Sequence, residues 1–248
     1  MSRLTLLTDF DGPIVDVSER YYQVYQVCLQ KMQQQFPEAT LTYLDKATFW
    51  GLKRAKVSET DIGIRSGLTP EQARQFSQCR QETVHTFPYF ELDRLQPGVR
   101  EVLASLEPQG IDVYVITMRR VRELTFALRQ FALESLLPFS RCYCVADDFV
   151  KTADHLDKPL VLARALAAIA PSGPVGMVGD TEADIIAAQT HGIPVVAVTC
   201  GIRDAATLQR YQPDSIQPDL VSAVRWLSAR RPDPSPPVAL PPTPADTR

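Results

Sequence analysis

Leu-Thr-Leu-Leu-Thr-Asp-Phe-Asp-Gly, residues 4–12, is the stretch on which the fold reading turns. Leu4–Thr8 is a short, continuous apolar run without strict alternation, so it suits a strand covered on both faces. The run stops at Asp9-Phe10-Asp11-Gly12. Further runs of the same kind lie at Asp112–Thr117, Arg141–Val145, Val175–Gly179 and Val195–Thr199. Stretches with apolar residues at helical spacing accompany them: Pro97–Leu106, Val121–Leu133, Lys158–Ile169 and Thr181–Gly192. Alternation of this kind predicts an α/β fold with a doubly wound parallel sheet.

No strand pattern is visible between the first run and the second. Val17–Phe36, Leu44–Leu52 and Thr69–Phe87 read as helices instead. The last opens on Thr69-Pro70-Glu71-Gln72, a capping residue followed by proline at the first helical position and glutamine at the third. A helical insertion directly after the first strand predicts a cap, because ligands of α/β folds bind at the carboxyl ends of the strands. The expected division is a Rossmann-like core from residues 1–15 and 96–230 and an all-helical cap from 16–95. Residues 231–248, RPDPSPPVALPPTPADTR, read as a disordered or polyproline-like tail, since repeated prolines remove backbone donors and little remains to build a core.

Across 248 residues the hydrophobic fraction is 45%, the charged fraction 22% and the formal net charge -3. That balance fits a chain with a real core and argues against nucleic acid or an anionic membrane as partner, which favour basic patches. No apolar run approaches the ~20 residues of a membrane span, and the first residues lack a signal-peptide pattern. A cytoplasmic protein is expected. The five cysteines, odd in number and sparse, agree with that compartment. Cys142 and Cys144 are expected as core thiols on opposite faces of one strand. The histidines, His85, His155 and His191, lack metal-ligand spacing and are not expected to be catalytic, with His85 and His191 inside helices.

Each predicted strand end carries a polar residue, and parallel strands bring their ends together. Asp9, Asp180 and Asp184 would form an oxygen-rich site for a hard divalent cation, for which magnesium is best suited. Thr117 offers a hydroxyl to a phosphate, and Lys158, opening a helix, adds a compact positive charge. A carboxylate such as Asp9 can form an aspartyl-phosphate, dividing one hard displacement into two easier ones.

In order and spacing, Asp9-Phe10-Asp11-Gly12, the run ending at Thr117, Lys158-Pro159 and Gly179-Asp180-Thr181-Glu182-Ala183-Asp184 resemble the four motifs of the haloacid dehalogenase superfamily. Gly179–Gly192 and the following Ile193–Val198 are similar to phosphoglycolate-phosphatase-like members, and the insertion is similar to the C1 cap type. The resemblance covers residues 4–225. It implies that Asp9 is the nucleophile and a magnesium ligand. Asp11 would be the general acid, then the base, and would ligate the metal through its backbone carbonyl. Thr117 would hold the phosphate and Lys158 would screen charge. Asp180 would be a metal ligand, and Asp184 a ligand directly or through water.

Asp11 separates this chain from the dehalogenases of the superfamily, which lack an aspartate there. Tyr21 stands where β-phosphoglucomutase-like members carry a histidine, which favours simple hydrolysis. Pro13 should stiffen the loop after Gly12. Arg119, where relatives more often show asparagine or lysine nearby, either contacts a substrate anion or is solvated. In the insertion, Phe49, Trp50, Lys53, Arg54 and Lys56 are candidates to face substrate, with Lys53 the binding residue chosen. The expected function is a magnesium-dependent phosphatase acting on a small phosphorylated metabolite of the phosphoglycolate or sugar-phosphate type. The alternatives are a phosphomutase and a non-catalytic metabolite-sensing protein with the same fold.

Overall fold

The computed structural model describes residues 3–230, so the proline-rich tail expected at 231–248 lies outside the described residues. In chain order the elements begin with β1 (Leu4–Thr8), β2 (Val15–Asp16), α1 (Ser18–Gln35), α2 (Lys46–Arg54) and α3 (Glu59–Arg65). α4 (Pro70–Thr83), α5 (Phe87–Phe90), β3 (Arg94–Leu95), α6 (Val99–Leu106) and β4 (Ile111–Arg120) follow. Next come α7 (Val121–Gln130), β5 (Cys142–Val145), α8 (Asp154–Ile169), β6 (Val175–Gly179) and α9 (Glu182–Thr190). β7 (Val195–Val198), α10 (Ala205–Gln209), β8 (Ser215–Gln217) and α11 (Leu220–Ser228) complete the set.

Six strands form one parallel sheet in the order β5-β4-β1-β6-β7-β8. All five residues of β1 are buried, because successive side chains point to opposite faces and both faces are covered. Leu6 belongs to the apolar layer under α6, α7 and α11, while Leu7 belongs to the layer under α8 and α9. That double burial is why the strands read as continuous apolar runs. From β1 the chain builds outward to β4 on one side and β6 on the other. The carboxyl end of β1 is therefore a topological switch point, where the flanking connections diverge and leave a crevice.

Residues 142 and 144 share one face, contrary to the expectation: Cys144 sits in the layer that Cys142 packs against, and Tyr143 faces the other. Residues two apart on a strand always lie on the same side. The edge strand β8, three residues long, and the antiparallel pair β2–β3, two residues each, were too short to give a periodic signal.

Helices α1 to α4 carry an apolar cluster of their own, built on Tyr25, Cys28, Leu29, Phe49, Ile62 and Phe76. α4 begins as expected, with the Thr69 hydroxyl accepting from the Gln72 amide and the Gln72 side chain accepting from the Thr69 amide. It ends at Thr83, short of the expected Phe87, so His85 lies beyond the helix. The β2–β3 pair ties the two chain segments that join this helical insertion to the sheet. No helix among the described residues is long and apolar enough to cross a membrane.

Candidate active site

Asp9 leaves the central strand at the switch point, almost fully buried. Its Oδ1 accepts from the Phe10 amide at 2.7 Å, and its Oδ2 meets Lys158 Nζ at 2.6 Å. Lys158 Nζ also lies 2.5 Å from Asp184 Oδ1. One ammonium thus spans two carboxylates, one from the end of β1 and one from the first turn of α9, after the neighbouring strand β6. Contrary to expectation, Lys158 does not open its helix: α8 starts at Asp154. Its first turn is closed by the Asp157 carboxylate, which accepts from the Thr152 amide and hydroxyl, and this directs Lys158 inward from the second turn.

Asp180 and Asp184 reach the same point from the end of β6 and the start of α9. Asp184 Oδ2 caps that helix, accepting from the amides of Asp180 and Thr181 and from the Thr181 hydroxyl. Its other oxygen faces Lys158. Asp184 is therefore both a helix cap and a member of the charged cluster. Asp180 Oδ2 accepts from the Ile202 amide at 2.6 Å, while its Oδ1 is buried with no hydrogen-bond partner among the described residues. One carboxylate oxygen from each of Asp9, Asp180 and Asp184 lies within 4.8 Å of the other two. An all-carboxylate donor set with an unpartnered buried oxygen fits a hard divalent cation. Two glycines make the space. Gly12 has φ +88°, and a Cβ there would lie 2.1 Å from Asp180 Cγ; at Gly201 it would lie 2.0 Å from Asp180 Oδ2.

The cluster's electrostatics follow from burial. Desolvation pushes Asp9 up to about 7, repulsion from Asp184 and Asp11 adds to it, and Lys158 opposes it. Burial and then the negative neighbours raise Asp180 well above the usual carboxylate range. Burial alone would lower Lys158, but Asp184 and Asp9 outweigh it and hold the ammonium charged.

Thr117 is buried in the last third of β4, where pairing with β5 shifts register between Ile116 and Arg120. Such an irregularity re-aims side chains. The Thr117 hydroxyl oxygen accepts from the Arg119 amide, leaving its proton free to donate. β4 runs three residues past the expected end at Thr117.

Asp11 is not in the carboxylate cluster. Its Oδ1 accepts from Arg119 Nε at 2.7 Å and its Oδ2 from Arg20 Nη2 at 3.1 Å. Burial alone would raise Asp11, but the two guanidiniums outweigh it and hold it at about 2. Both arginines also bind the buried Asp93, Arg20 through Nε at 2.8 Å and Arg119 through Nη2 at 2.6 Å. The solvated alternative for Arg119 is overturned: it is 3% exposed.

A cavity of about 280 Å³ joins these groups to the helical insertion. Its lining includes Asp9, Asp11, Thr117, Arg119, Lys158 and Asp180. From the insertion come Tyr21, Lys53, Glu59, Arg80 and His85. Lys53 and Arg80 converge on Glu59, and the Lys53 ammonium lies 5.6 Å from the Tyr21 ring centroid. Of the insertion candidates only Lys53 lines the cavity. Phe49 is core, Arg54 donates to the Thr199 carbonyl, and Lys56 pairs with Glu182. Trp50 packs against the apolar clusters.

Sequence reasoning missed Arg20, Asp93, Arg80, Glu59 and the cavity position of His85. Arg20 did leave a signal: a cation in the first turn of α1 opposes the helix dipole and calls for a partner. Burial, then Lys151 and Arg20, pushes His85 down to about 3, and its Nδ1 has no hydrogen-bond partner among the described residues.

The family model described as "Haloacid dehalogenase-like hydrolase" matches residues 6–198. A pyrophosphatase PpaX of Bacillus cereus is 25% identical over 85% of this chain and 89% of its own. A phosphoglycolate phosphatase of Mannheimia succiniciproducens is 26% identical over 64% of this chain and 68% of its own. Matches to the curated relatives span from 56% to 89% of those proteins' lengths. Among solved structures, a haloacid dehalogenase-like family hydrolase of Streptococcus pneumoniae superposes with a TM-score of 0.66 at 18% identity. It covers 90% of this chain and 97% of that one, a likeness of fold.

Proposed function

This chain belongs to the haloacid dehalogenase-like hydrolase family, and from that membership we propose a magnesium-dependent phosphatase of small phosphomonoesters that works through an aspartyl-phosphate on Asp9. The observation that carries the proposal is Asp9 at the switch point, bridged by Lys158 at 2.6 Å and grouped with Asp180 and Asp184. Relatives named phosphoglycolate phosphatase and pyrophosphatase support a small phosphorylated substrate, and a cavity of about 280 Å³ has room for one.

Asp9, Asp180 and Asp184 would hold the ion, with Asp11 adding its backbone carbonyl; once bound, the ion supplies positive charge that offsets repulsion between Asp9 and the phosphoryl group. Lys158 orients Asp9 and neutralises part of that charge. The Thr117 hydroxyl donates to a phosphoryl oxygen. An Asp9 oxygen attacks phosphorus as the ester P–O bond breaks, and Asp11 protonates the departing oxygen. In the second half Asp11 takes a proton from water, whose oxygen attacks phosphorus; the bond to Asp9 breaks and phosphate leaves. The guanidiniums beside Asp11 favour its anion, the form the second half requires. The first half requires a proton on Asp11, so substrate entry must loosen at least one of these contacts.

In this reading residues 16–95 are the cap over a core of 1–15 and 96–230, excluding bulk water from the cavity. Lys53, which lines the cavity, meets the substrate from the cap, and Arg119 offers Nη1, which has no partner among the described residues. A cytoplasmic site of action agrees with the odd, sparse cysteines. Phosphate release from a panel of small phosphomonoesters, with and without magnesium, tests the proposal with Asp9→Asn as control. Metal-dependent release that the variant abolishes is the expected result. Substantial release by the variant would remove Asp9 as nucleophile.

A further inference from the structure

Asp11, Arg119, Asp93 and Arg20 form a closed ring of alternating charge. Around it the contacts are 2.7 Å from Asp11 to Arg119, 2.6 Å on to Asp93, 2.8 Å on to Arg20 and 3.1 Å back to Asp11. Two guanidiniums and two carboxylates leave no net charge. Arg20 and Asp93 are 0% exposed and Arg119, which lines the cavity, is 3% exposed, while the Asp11 side chain, at 27%, is the most open member. The Phe90 ring lies against both guanidiniums, 4.6 Å from Arg20 and 5.1 Å from Arg119. Arg20 also donates to the Val84 carbonyl.

A buried ring of this composition is costly to assemble unless each member is paired, and taking away one charge leaves another buried and uncompensated. Asp93 touches neither Asp9 nor the cavity, yet each of its oxygens accepts from one of the two arginines that face Asp11. It therefore fixes both guanidiniums whatever Asp11 is doing. Asp11 can let go of an arginine without stranding a cation, because Asp93 still compensates it.

We propose that Asp93 is a positioning residue for the reaction, acting through Arg20 and Arg119 to hold the Asp11 carboxyl where it exchanges protons with substrate and water. The ring draws on β1's terminal loop, the first helix of the insertion, the segment returning from the insertion, and the end of β4. It rests on the phosphatase reading above. Without the Asp93 charge, two guanidiniums share the Asp11 carboxylate and clamp it. Proton delivery to a poor leaving group then suffers, while a leaving group that departs as an anion is spared.

The test compares the first-turnover rate of leaving-group release from the best alkyl phosphomonoester of the panel with that from p-nitrophenyl phosphate, whose nitrophenolate needs no proton; release precedes the water step, which Asp11 serves alike for both esters. Asp93→Asn should cut alkyl release about 100-fold and aryl release no more than about threefold. Asp93→Glu should restore part of the ratio. Should Asp93→Asn fail to fold, Arg20→Lys opens the ring instead, since Arg20 reaches Asp93 through Nε and Asp11 through Nη2 and lysine has a single side-chain nitrogen, and the same selective loss is expected. Equal losses on both esters would reduce the ring to a structural feature and overturn the proposal. Asp11→Asn in the same assay separates the two readings. If it shows the alkyl-selective loss and the ring variants do not, only the role of Asp93 falls. If Asp11→Asn spares alkyl release, the assignment of Asp11 falls, and the role of Asp93 with it.

Discussion

Replacing Lys158 with methionine should expose how much repulsion one ammonium restrains. Its Nζ lies 2.6 Å from Asp9 and 2.5 Å from Asp184, with Asp180 in the same cluster, and all four residues are nearly or fully buried. At an effective dielectric of ~20 each contact is worth about 6 kcal/mol of Coulomb energy, against several for desolvating the ammonium. Removing one partner of such a group costs about 3–5 kcal/mol. The penalty depends on pH with a definite sign. Asp9, raised to about 7 mainly by burial, carries a proton below that value and is then neutral. In the native protein that charge returns as pH rises through 7 with Lys158 beside it; without Lys158 the carboxyl holds its proton to higher pH, so the variant's deficit grows above 7. Lys158→Met should therefore lose about 3–5 kcal/mol at pH 8 and about 1 kcal/mol less at pH 5.5. Urea denaturation in EDTA at the two pH values measures both. Added magnesium should recover part of the loss at pH 8, because bound cation replaces the missing charge. A loss below about 1 kcal/mol at pH 8, or one independent of pH, would refute this account of the cluster.

Other substitutions probe the scaffold. Gly12→Ala adds a Cβ 2.1 Å from Asp180 Cγ at a residue with φ +88°, so calorimetric magnesium affinity should fall at least about tenfold. His85, held neutral by burial with a value of about 3, binds its proton more readily when unfolded, near 6.5. Stability should thus decline as pH drops from 6.5 towards 3, by about 1–2 kcal/mol at pH 5, and His85→Gln should flatten that slope in urea titrations. Leu7→Ala in the central strand, at 0% exposure, should cost about 2–5 kcal/mol by the same method and leave the site chemistry intact.

Much of the fold was legible along the chain because burial on both faces of a parallel sheet forces continuous apolar runs. β1 and β6 match their expected bounds, Leu4–Thr8 and Val175–Gly179. The Thr69 capping box could be read because its partners lie within one turn. Short elements such as β8 escaped, having too few residues to show a period.

The sequence by itself determined which carboxylates stand at strand ends, since Asp9, Asp11, Asp180 and Asp184 each directly follow an apolar run or the turn after it. Only the tertiary structure decided their company. Asp11 pairs with Arg119 across 108 positions and Arg20 with Asp93 across 73. It likewise turned Asp11 away from the cluster of Asp9, Asp180 and Asp184, and put His85 at the cavity wall beyond the end of α4. Periodicity reports whether a residue faces the core. Which distant charge meets it there depends on how the insertion folds back over the strand ends, and no local pattern encodes that.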